Sequence, residues 1–535
     1  MFNQKRSLVN KAAIKDWLGE IPLAAEAYWY LRQPGRPIAG NFSLHRLDKC
    51  LPQWRPVVET YRRGFPSGKK VLIFATLRYW IEHTALLGMA FAGLGHQVIL
   101  AYLPYANWRQ PLNRFDLRRQ DAYVRSILEQ CVSLFSILPL IRTKKTDHLP
   151  QALLRNIEEN ALRDTQYTLQ VEDIEQEGDL YRLRLERDTE AVCAVLPWLR
   201  ENRPDVVITP NGSILEFNAI YNTARYLDIP VVTFEFGEQR QRIWLAHNGE
   251  VMRQDTGALW EEVKNLSLTP EEWDRVRGLF AARQGASLWE NFSRRWQGVP
   301  SQGGIKVRHE LGLDERPTVL LAANVIGDSL TLGRQVFSDS MTEWLKRTVQ
   351  YFAQHPEVQL VVRIHPGELI TKGPSVEELV KHELPGLPEH VHIVSAGAKV
   401  NTYDIVEFAD LGLVYTTTVG MEMAMSGVPV IVIGNTHYRG KSFTLDPQNW
   451  EAYFTLLSQI LQQPECYRLT RQQVEAAWHY AYRFFFDYPQ PFPWHLVRMW
   501  EDVKEWPIER VLSAEGQAKF GSTFRYLLGE PVKWA

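Results

Sequence analysis

The feature that most constrains the fold is an alternation between short apolar runs and helical patterns. Continuous apolar runs of this kind are typical of strands covered on both faces of a sheet. Helical segments separate most of these runs, so the strands are expected to be parallel. The predicted strands are Val71–Ala75, Val98–Tyr102, Asp205–Thr209, Val231–Phe234, Val319–Ala323, Leu360–Ile364, Val391–Val394, Leu411–Tyr415 and Val430–Ile433.

A break at Pro300-Ser-Gln-Gly303-Gly304 divides this alternation into two series. We therefore predict an α/β protein with two Rossmann-like domains facing across a cleft, and a length of 535 residues suits two such domains. Extra helices are expected at both ends. The predicted boundaries are a helical segment at 1–65, a first domain at 66–300 with a helical insertion around 107–200, a second domain at 301–480 and a helical tail at 481–535.

Charge and cysteine usage narrow the class of protein. The formal net charge of −2 argues against a nucleic-acid binder that depends on a broad basic face. The four cysteines are scattered without metal-ligand spacing, which fits a reducing compartment. No stretch reaches the roughly 18 consecutive apolar residues of a membrane span. A cytoplasmic protein is expected.

Polar residues follow two predicted strands of the second series. Arg363 and His365 end one strand, and Thr416, Thr417 and Thr418 lie between another strand and a predicted helix. Residues two apart on a strand share a face, so Arg363 and His365 are expected to point the same way. Strand ends of a parallel sheet meet at the edge where ligands bind, and helix N-termini attract anions. The pattern indicates a phosphate-bearing ligand, although a His-Pro pair can simply end a strand and a threonine can simply cap a helix.

Three further residues are candidates for the same edge. Asn324 and Asp328 follow the first predicted strand of the second series, and Glu422 lies in the helix after the threonines. Asn324 and Asp328 are also common turn residues. Glu422 is placed to contact a ribose hydroxyl or to favour the helix dipole.

Together these segments resemble a known family. Arg363–Pro366, Tyr415–Val432 and Tyr438–Thr444 are similar to the C-terminal half of capsule polysaccharide biosynthesis glycosyltransferases, over about residues 315–450. That family has the GT-B fold, and several members use a CMP-activated keto sugar such as Kdo. Bacterial sialyltransferases share a similar His-Pro motif and a Ser/Thr motif, which bind the CMP phosphate.

The resemblance implies that His365 and Thr416 to Thr418 hold the donor phosphate, and that Arg439 and Lys441 reach the donor carboxylate or phosphate. The first domain would then bind the acceptor and the second the nucleotide sugar. The triple threonine departs from the more familiar Ser-Ser or Thr-Ser of the motif. Similar patterns occur in teichoic-acid glycerophosphotransferases and UDP-sugar 2-epimerases, so the identity of the donor stays open.

An inverting transfer needs a base that deprotonates the acceptor hydroxyl. Glu235 and Glu238 follow the strand Val231–Phe234, and they loosely resemble the acidic motif of bacterial sialyltransferases. Glu82 and His83 follow the first strand of the chain, where a carboxylate and an imidazole could act as base or orient the acceptor. Either pair is a candidate.

The expected partners are a nucleotide-sugar donor and a glycan or glycolipid acceptor, with no nucleic acid and with peripheral contact to the inner membrane face. No Asp-x-Asp motif is placed to hold a metal, so metal-independent chemistry without a cofactor is predicted. Three alternatives remain: a sugar-nucleotide epimerase, a CDP-polyol phosphotransferase, and a nucleotide-sugar-binding scaffold without catalysis.

Overall fold

The first domain is built on a seven-stranded sheet. A computed structural model of the chain describes residues 13–64, 67–176, 178–293, 295 and 297–534. The strand order is β3-β2-β1-β4-β5-β6-β12, with β1 to β5 parallel and β6 and β12 each antiparallel to its neighbour. The strands are β1 Lys70–Thr76, β2 Gln97–Leu103, β3 Phe135–Pro139, β4 Val206–Pro210, β5 Val231–Glu235, β6 Arg242–His247 and, from the end of the chain, β12 Gln490–Pro491.

Helices cover both faces of this sheet. The most deeply placed is α4, whose residues from Trp80 to Gly93 are all buried. Burying an aliphatic or aromatic side chain of this kind contributes about 1.5–3 kcal/mol. These helices are α1 13–20, α2 Ala24–Arg32, α3 His45–Arg62, α4 Arg78–Gly93, α5 Arg114–Leu128, α6 Gln151–Leu169, α7 Asp179–Asn202 and α8 Leu215–Tyr226. Two more helices, α9 Gly257–Val263 and α10 Pro270–Gln284, precede the interdomain connection, but their buried residues belong to the core of the second domain.

The segment 107–200, predicted as a helical insertion, also supplies a strand. β3 pairs in parallel with β2 and forms one edge of the sheet. Only Phe135 of its five residues is buried, and Ser136 is exposed. An edge strand with so little buried apolar surface lacks the continuous apolar run on which strand prediction depends.

The second domain contains a five-stranded, fully parallel sheet with the order β11-β10-β7-β8-β9. Its strands are β7 Thr318–Ala322, β8 Gln359–Arg363, β9 Val391–Val394, β10 Leu411–Val414 and β11 Val430–Val432. Its helices are α11 Gly304–Glu310, α12 Met341–Ala353, α13 Val376–Glu383, α14 Thr402–Val406, α15 Val419–Met425, α16 Trp450–Gln462 and α17 Arg471–Tyr482. The first five strands of each domain thus have the same 3-2-1-4-5 order, which confirms two Rossmann-like domains.

The last part of the chain returns to the first domain. After a π-helical turn at Arg483–Asp487, β12 pairs with β6, and the helices α18 Met499–Glu505, α19 Ile508–Leu512 and α20 Ala514–Leu527 follow. Phe492 and Trp494 are buried in the hydrophobic core of the first domain. The segment predicted as a tail therefore completes the first sheet and covers it.

Direct contacts cross the cleft between the domains. The Glu172 carboxylate accepts hydrogen bonds from the backbone amides of Met341 and Thr342, at 2.9 and 2.8 Å, where α12 begins. A carboxylate at a helix N-terminus is favoured by the unpaired amides there. Gly327 lies against the backbone of Gln170, with no room for a side chain. The two domains are therefore in direct contact in this structure.

The first helices of the chain carry exposed apolar side chains. Trp17, Tyr30 and Leu31 are 58–80% exposed. Within the described residues, no helix is both long and apolar enough to cross a bilayer.

Candidate functional site

A cavity of about 270 Å³ lies between the two domains, at the carboxyl edges of both sheets. Loops that follow the strands supply most of its wall. From the part of the chain before residue 300 the lining residues are Gly237, Glu238, Gln239, Arg242, Trp244, Arg253, Gln254, Arg283 and Phe292. From the second domain and the returning segment they are Asn324, Val325, Asp328, Leu330, Arg334, His365, Thr416, Thr417, Thr418, Asn435, Thr436, His437, Phe484, Phe485 and Pro489.

His365 lines this cavity, as the sequence predicted. Its ring folds back over the next turn, and Nδ1 accepts a hydrogen bond of 2.9 Å from the backbone amide of Gly367. A Cβ at Gly367 would lie 2.7 Å from that nitrogen, so a side chain there would displace the His365 ring. Because Nδ1 is an acceptor, a neutral His365 carries its proton on Nε2 and is a hydrogen-bond donor from that atom.

The three threonines also reach the cavity. Thr416 is fixed on both sides, because its amide donates to Asn324 Oδ1 at 3.2 Å and its hydroxyl donates to the carbonyl of Leu330 at 2.8 Å. Thr418 precedes α15, but its side chain does not cap that seven-residue helix. The hydroxyl loop, as we call Thr416 to Thr418, is therefore held by the loop after β7.

Asp328 borders the cavity and also shapes the loop in which it stands. Its Oδ1 accepts hydrogen bonds from the amide of Leu330 at 3.0 Å and from the hydroxyl of Ser329 at 3.1 Å. This is the turn role that was weighed for Asp328, and Asn324 has a comparable role through Thr416. Both side chains are nevertheless at the cavity wall.

Four arginines that no sequence motif marked also line the cavity. They are Arg242, Arg253, Arg283 and Arg334. Arg334 donates to the carbonyl oxygens of Met252 and Arg253, and so joins the second domain to the first. Burial lowers the pKa of Arg334 to about 10, which leaves it charged at neutral pH. The four arginines come from separate segments of the chain, so no sequence pattern predicts that they meet at one cavity.

Arg363 does not reach the cavity. Its guanidinium is buried and donates to the carbonyl oxygens of Ser395, at 2.7 Å, and Val400, at 3.3 Å. The expectation that Arg363 and His365 share a face is corrected, because β8 ends at Arg363 and His365 lies in the following turn. Arg363 holds the loop after β9 in place.

Glu422 is also turned away from the cavity. It forms a buried ion pair with Arg283 at 2.5 Å, and both side chains are 2% exposed. The ribose role considered for Glu422 is corrected to a structural one, because a partner from α10 already holds its carboxylate. Arg283 also donates to the hydroxyl of Tyr403 at 3.2 Å.

Arg439 and Lys441 lie outside the cavity wall. Arg439 donates to the backbone carbonyls of Val432 and Pro447 and closes a turn. Burial lowers the pKa of the Lys441 ammonium, and the charges of Asp255 and Glu261 act in the opposite direction. The structure does not bring either side chain to the predicted donor site.

On the first domain, the two acidic candidates after β5 occupy different positions. Glu238 lines the cavity. Glu235 is partly exposed, and its carboxylate accepts hydrogen bonds from Asn211 Nδ2 at 2.9 Å and from the amide of Phe236 at 3.0 Å. Burial raises the pKa of the Glu235 carboxyl, which moves it toward the range useful to a general base.

Glu82 and His83 are not at the cavity. His83 is fully buried among the rings of Trp80, Phe234 and Phe236, and its Nε2 contacts the carbonyl of Trp494 at 3.1 Å. Burial lowers the pKa of His83 to about 4. Both residues lie in the body of α4, so their role as base or acceptor contact is corrected to packing inside the first domain.

No known family profile matches the sequence, and no curated relative was found. The chain is similar to several solved structures at low TM-scores. A Thermosulfurimonas dismutans KpsC β-Kdo 2,4 transferase is 17% identical over 54% of this chain and 82% of that one, with a TM-score of 0.33. A Neisseria meningitidis UDP-GlcNAc 2-epimerase bound to UDP-GlcNAc is 13% identical over 78% and 99%, with a TM-score of 0.25. The wall teichoic acid polymerase TagF is 10% identical over 86% and 97%, with a TM-score of 0.22.

These neighbours include a Kdo transferase and a sugar-nucleotide epimerase, two of the three kinds of enzyme that were weighed from the sequence. TM-scores of this size do not indicate the activity of this chain. The evidence for an activity has to come from the residues of the site. Among the described residues, no group of three or more His, Cys, Asp and Glu side chains is placed to hold a metal ion.

Proposed function

We propose that the protein is a GT-B glycosyltransferase that moves a sugar from a nucleotide donor to a glycan or glycolipid acceptor. The supporting observation is the cavity between the two sheets, which is lined by His365 and the hydroxyl loop of one domain and by Glu238 of the other. A nucleotide sugar needs an anion-binding wall for its phosphate, and its acceptor needs a base on the opposite side. The proposed donor class is CMP-linked, by the sequence resemblance.

The donor phosphate is assigned to His365, the hydroxyl loop and the cavity arginines. The Nε2 proton of a neutral His365, the hydroxyls of Thr417 and Thr418 and the guanidinium groups are hydrogen-bond donors, while the hydroxyl of Thr416 is used to fix the loop. They can stabilise the negative charge that develops on the leaving phosphate as the bond to the sugar breaks. The proposal therefore gives this task to side chains and includes no metal ion and no cofactor.

Glu235 is the proposed general base, with Glu238 as the competing assignment. The carboxylate takes the proton of the acceptor hydroxyl, the hydroxyl oxygen attacks the anomeric carbon, and the nucleotide leaves with the electron pair of the broken bond. The hydrogen bond from Asn211 orients Glu235, and its raised pKa makes it a stronger base than an exposed glutamate.

The first test is a calorimetric titration of the wild type and of His365→Ala with CMP, CDP, UDP and GDP. We expect selective binding of CMP, and an affinity about 10- to 100-fold lower in the variant, because charge-assisted hydrogen bonds contribute about 1.5–3 kcal/mol. The matched control is His83→Phe, which removes an imidazole that is buried away from the cavity.

Other outcomes favour the alternatives. Selectivity for UDP, with conversion of a UDP-sugar in the absence of acceptor, would favour the epimerase. Selectivity for CDP would favour polyol-phosphate transfer. Nucleotide binding without turnover of any sugar donor would leave the scaffold, and the absence of all binding would contradict the site itself.

We also propose that the protein works in the cytoplasm at the inner membrane face, through the exposed side chains of α1 and α2. Trp17 and Leu31 are 65% and 80% exposed, and amphipathic helices of this kind bind at the lipid interface. Sedimentation with anionic phospholipid vesicles should retain the wild type and release a Trp17→Glu, Leu31→Glu variant. Equal retention of both would contradict this part of the proposal.

A further inference from the structure

His437 borders the cavity beside the hydroxyl loop. It follows Thr436, whose hydroxyl donates to the carbonyl of Thr416 at 3.3 Å. His437 is 8% exposed. Its ring stacks on that of Phe484, with ring centroids 3.7 Å apart and an interplanar angle of 5°. The ring is therefore held in one plane at the cavity wall.

One nitrogen of this ring belongs to a buried hydrogen-bond network. The hydroxyl of Tyr480 lies 3.0 Å from His437 Nδ1, 2.7 Å from the His437 carbonyl oxygen and 2.7 Å from the hydroxyl of Thr256. A carbonyl oxygen can only accept, so a contact of 2.7 Å between it and the tyrosine oxygen requires a proton from Tyr480. The tyrosine has a single proton, which is thereby used.

The tautomer of His437 follows from this geometry. Because the Tyr480 proton goes to the carbonyl, His437 Nδ1 must supply the proton in its contact with the tyrosine oxygen. In the neutral ring Nε2 is then a bare acceptor. Burial, with the charges of Arg334 and Lys441, lowers the pKa of His437 to about 3, so the ring is neutral at physiological pH.

The Nε2 atom has no hydrogen-bond partner among the described residues. Leaving a buried acceptor unpaired is unfavourable, and such atoms in folded proteins usually mark a missing ligand or water. His365 and His437 therefore have opposite hydrogen-bonding character at the same cavity. His365 donates from Nε2, which suits a phosphate oxygen, whereas His437 accepts at Nε2, which suits a hydroxyl or amino group.

We infer that His437 is a specificity-determining contact that accepts a hydrogen bond from an amino or hydroxyl group of the bound nucleoside. This inference rests on the proposed function. The nucleoside is the part concerned because His437 stacks on Phe484 and adjoins Thr436, which is bonded to the hydroxyl loop assigned to the donor phosphate, whereas the reacting sugar is assigned to the proposed base of the first domain.

The test is calorimetry on the wild type and on His437→Phe with CMP, UMP and inorganic pyrophosphate. Phenylalanine keeps an aromatic ring against Phe484 and removes both nitrogens. We expect at least about tenfold weaker nucleotide binding, because an unpaired donor is left on the ligand, and unchanged binding of pyrophosphate. Weakening of pyrophosphate to the same extent would overturn the inference, since it would mean that the whole site is disturbed.

The two nucleotides separate the possible donor groups. If the cytosine amino group is the donor, the wild type prefers CMP over UMP and the variant loses that preference. If a ribose hydroxyl is the donor, both nucleotides weaken equally. If the variant binds both nucleotides as tightly as the wild type does, the inference about His437 is overturned and the proposed function is not. If the wild type binds no nucleotide, the proposed function is overturned as well.

A second measurement does not depend on the folding of a variant. Nitrogen-15 NMR of histidine-labelled wild type reports which ring nitrogen carries the proton. We expect His437 to be protonated on Nδ1, and its Nε2 resonance to move when CMP is added. A ring protonated on Nε2, or an Nε2 resonance that CMP leaves unchanged, would overturn the inference.

Discussion

The carboxyl edges of the two sheets place different groups at the cavity, although the first five strands of each sheet have the same order. The second domain contributes the imidazole of His365, the hydroxyl loop and Arg334. The first domain contributes Arg242 and Arg253 and, in addition, the carboxylate of Glu238, while Glu235 lies at the end of β5. Under the proposed function, hydrogen-bond donors of both edges bind the donor phosphate, and a carboxylate of the first edge takes the proton of the acceptor.

The change with the largest expected effect removes the base from the first edge. Glu235→Gln should lower turnover about 10²- to 10⁴-fold, because the side chain keeps its shape and loses its basicity. The affinity for CMP, measured by calorimetry, should stay within a few-fold of the wild type. The rate of the wild type should also fall with acidification at a higher pH than for an ordinary glutamate, because burial raises the pKa of Glu235 and the base is active only when deprotonated.

Glu238→Gln is the matched control for this experiment, since it makes the same chemical change three residues away. Loss of turnover in Glu238→Gln, with Glu235→Gln active, would move the base to the cavity wall. Full activity in both variants would end the assignment of the base to this edge.

The second change tests whether Glu422 binds the ligand at the edge of the second sheet or only stabilises the fold. Glu422→Gln leaves Arg283 buried without its anionic partner, so we expect a loss of about 3–5 kcal/mol in the free energy of unfolding. Urea denaturation followed by tryptophan fluorescence measures this loss. A stable variant that no longer binds CMP would instead support the ribose contact that the sequence suggested.

The third change concerns Glu82, the candidate base that the structure places inside the first domain. Burial raises the pKa of Glu82 to about 7, with Arg78 acting in the opposite direction. A carboxyl with a higher pKa in the folded than in the unfolded state binds its proton more tightly when folded. Its contribution to stability is therefore fully present below about pH 4.5 and is lost as the pH rises toward 7.

Glu82→Gln should accordingly raise stability at pH 8 by up to about 3 kcal/mol and change it little at pH 4. Thermal unfolding at the two pH values measures the difference, and turnover should be retained. A loss of turnover in the folded variant would return Glu82 to the list of catalytic candidates.

The sequence predicted the fold well because buried parallel strands leave continuous apolar runs. β3 was missed, since four of its five residues are not buried, and β6 was missed because only two of its six residues are buried. In the site, the residues that follow the strand ends were predicted best: His365 and the hydroxyl loop line the cavity, whereas Arg363, two residues earlier, is bound to backbone carbonyls.

The cavity arginines could not be predicted in the same way. Only the packing of the two domains brings together Arg242, Arg253, Arg283 and Arg334. Their spacing along the chain does not predict that contact. His437 is similar, because its hydrogen-bonding character depends on Tyr480, which lies 43 residues further along the chain.

The return of the C-terminal segment to the first domain affects the order of events on the ribosome. Phe492, Trp494, Phe520 and Phe524 belong to the core of the first domain, and β12 pairs with its sheet. All strands of the second domain are synthesised before these residues leave the exit tunnel. Domains usually fold as units as they emerge. Here the domain that is translated second can be completed first, and the nascent first domain must wait, with part of its core uncovered, until the segment from β12 to α20 has also been translated.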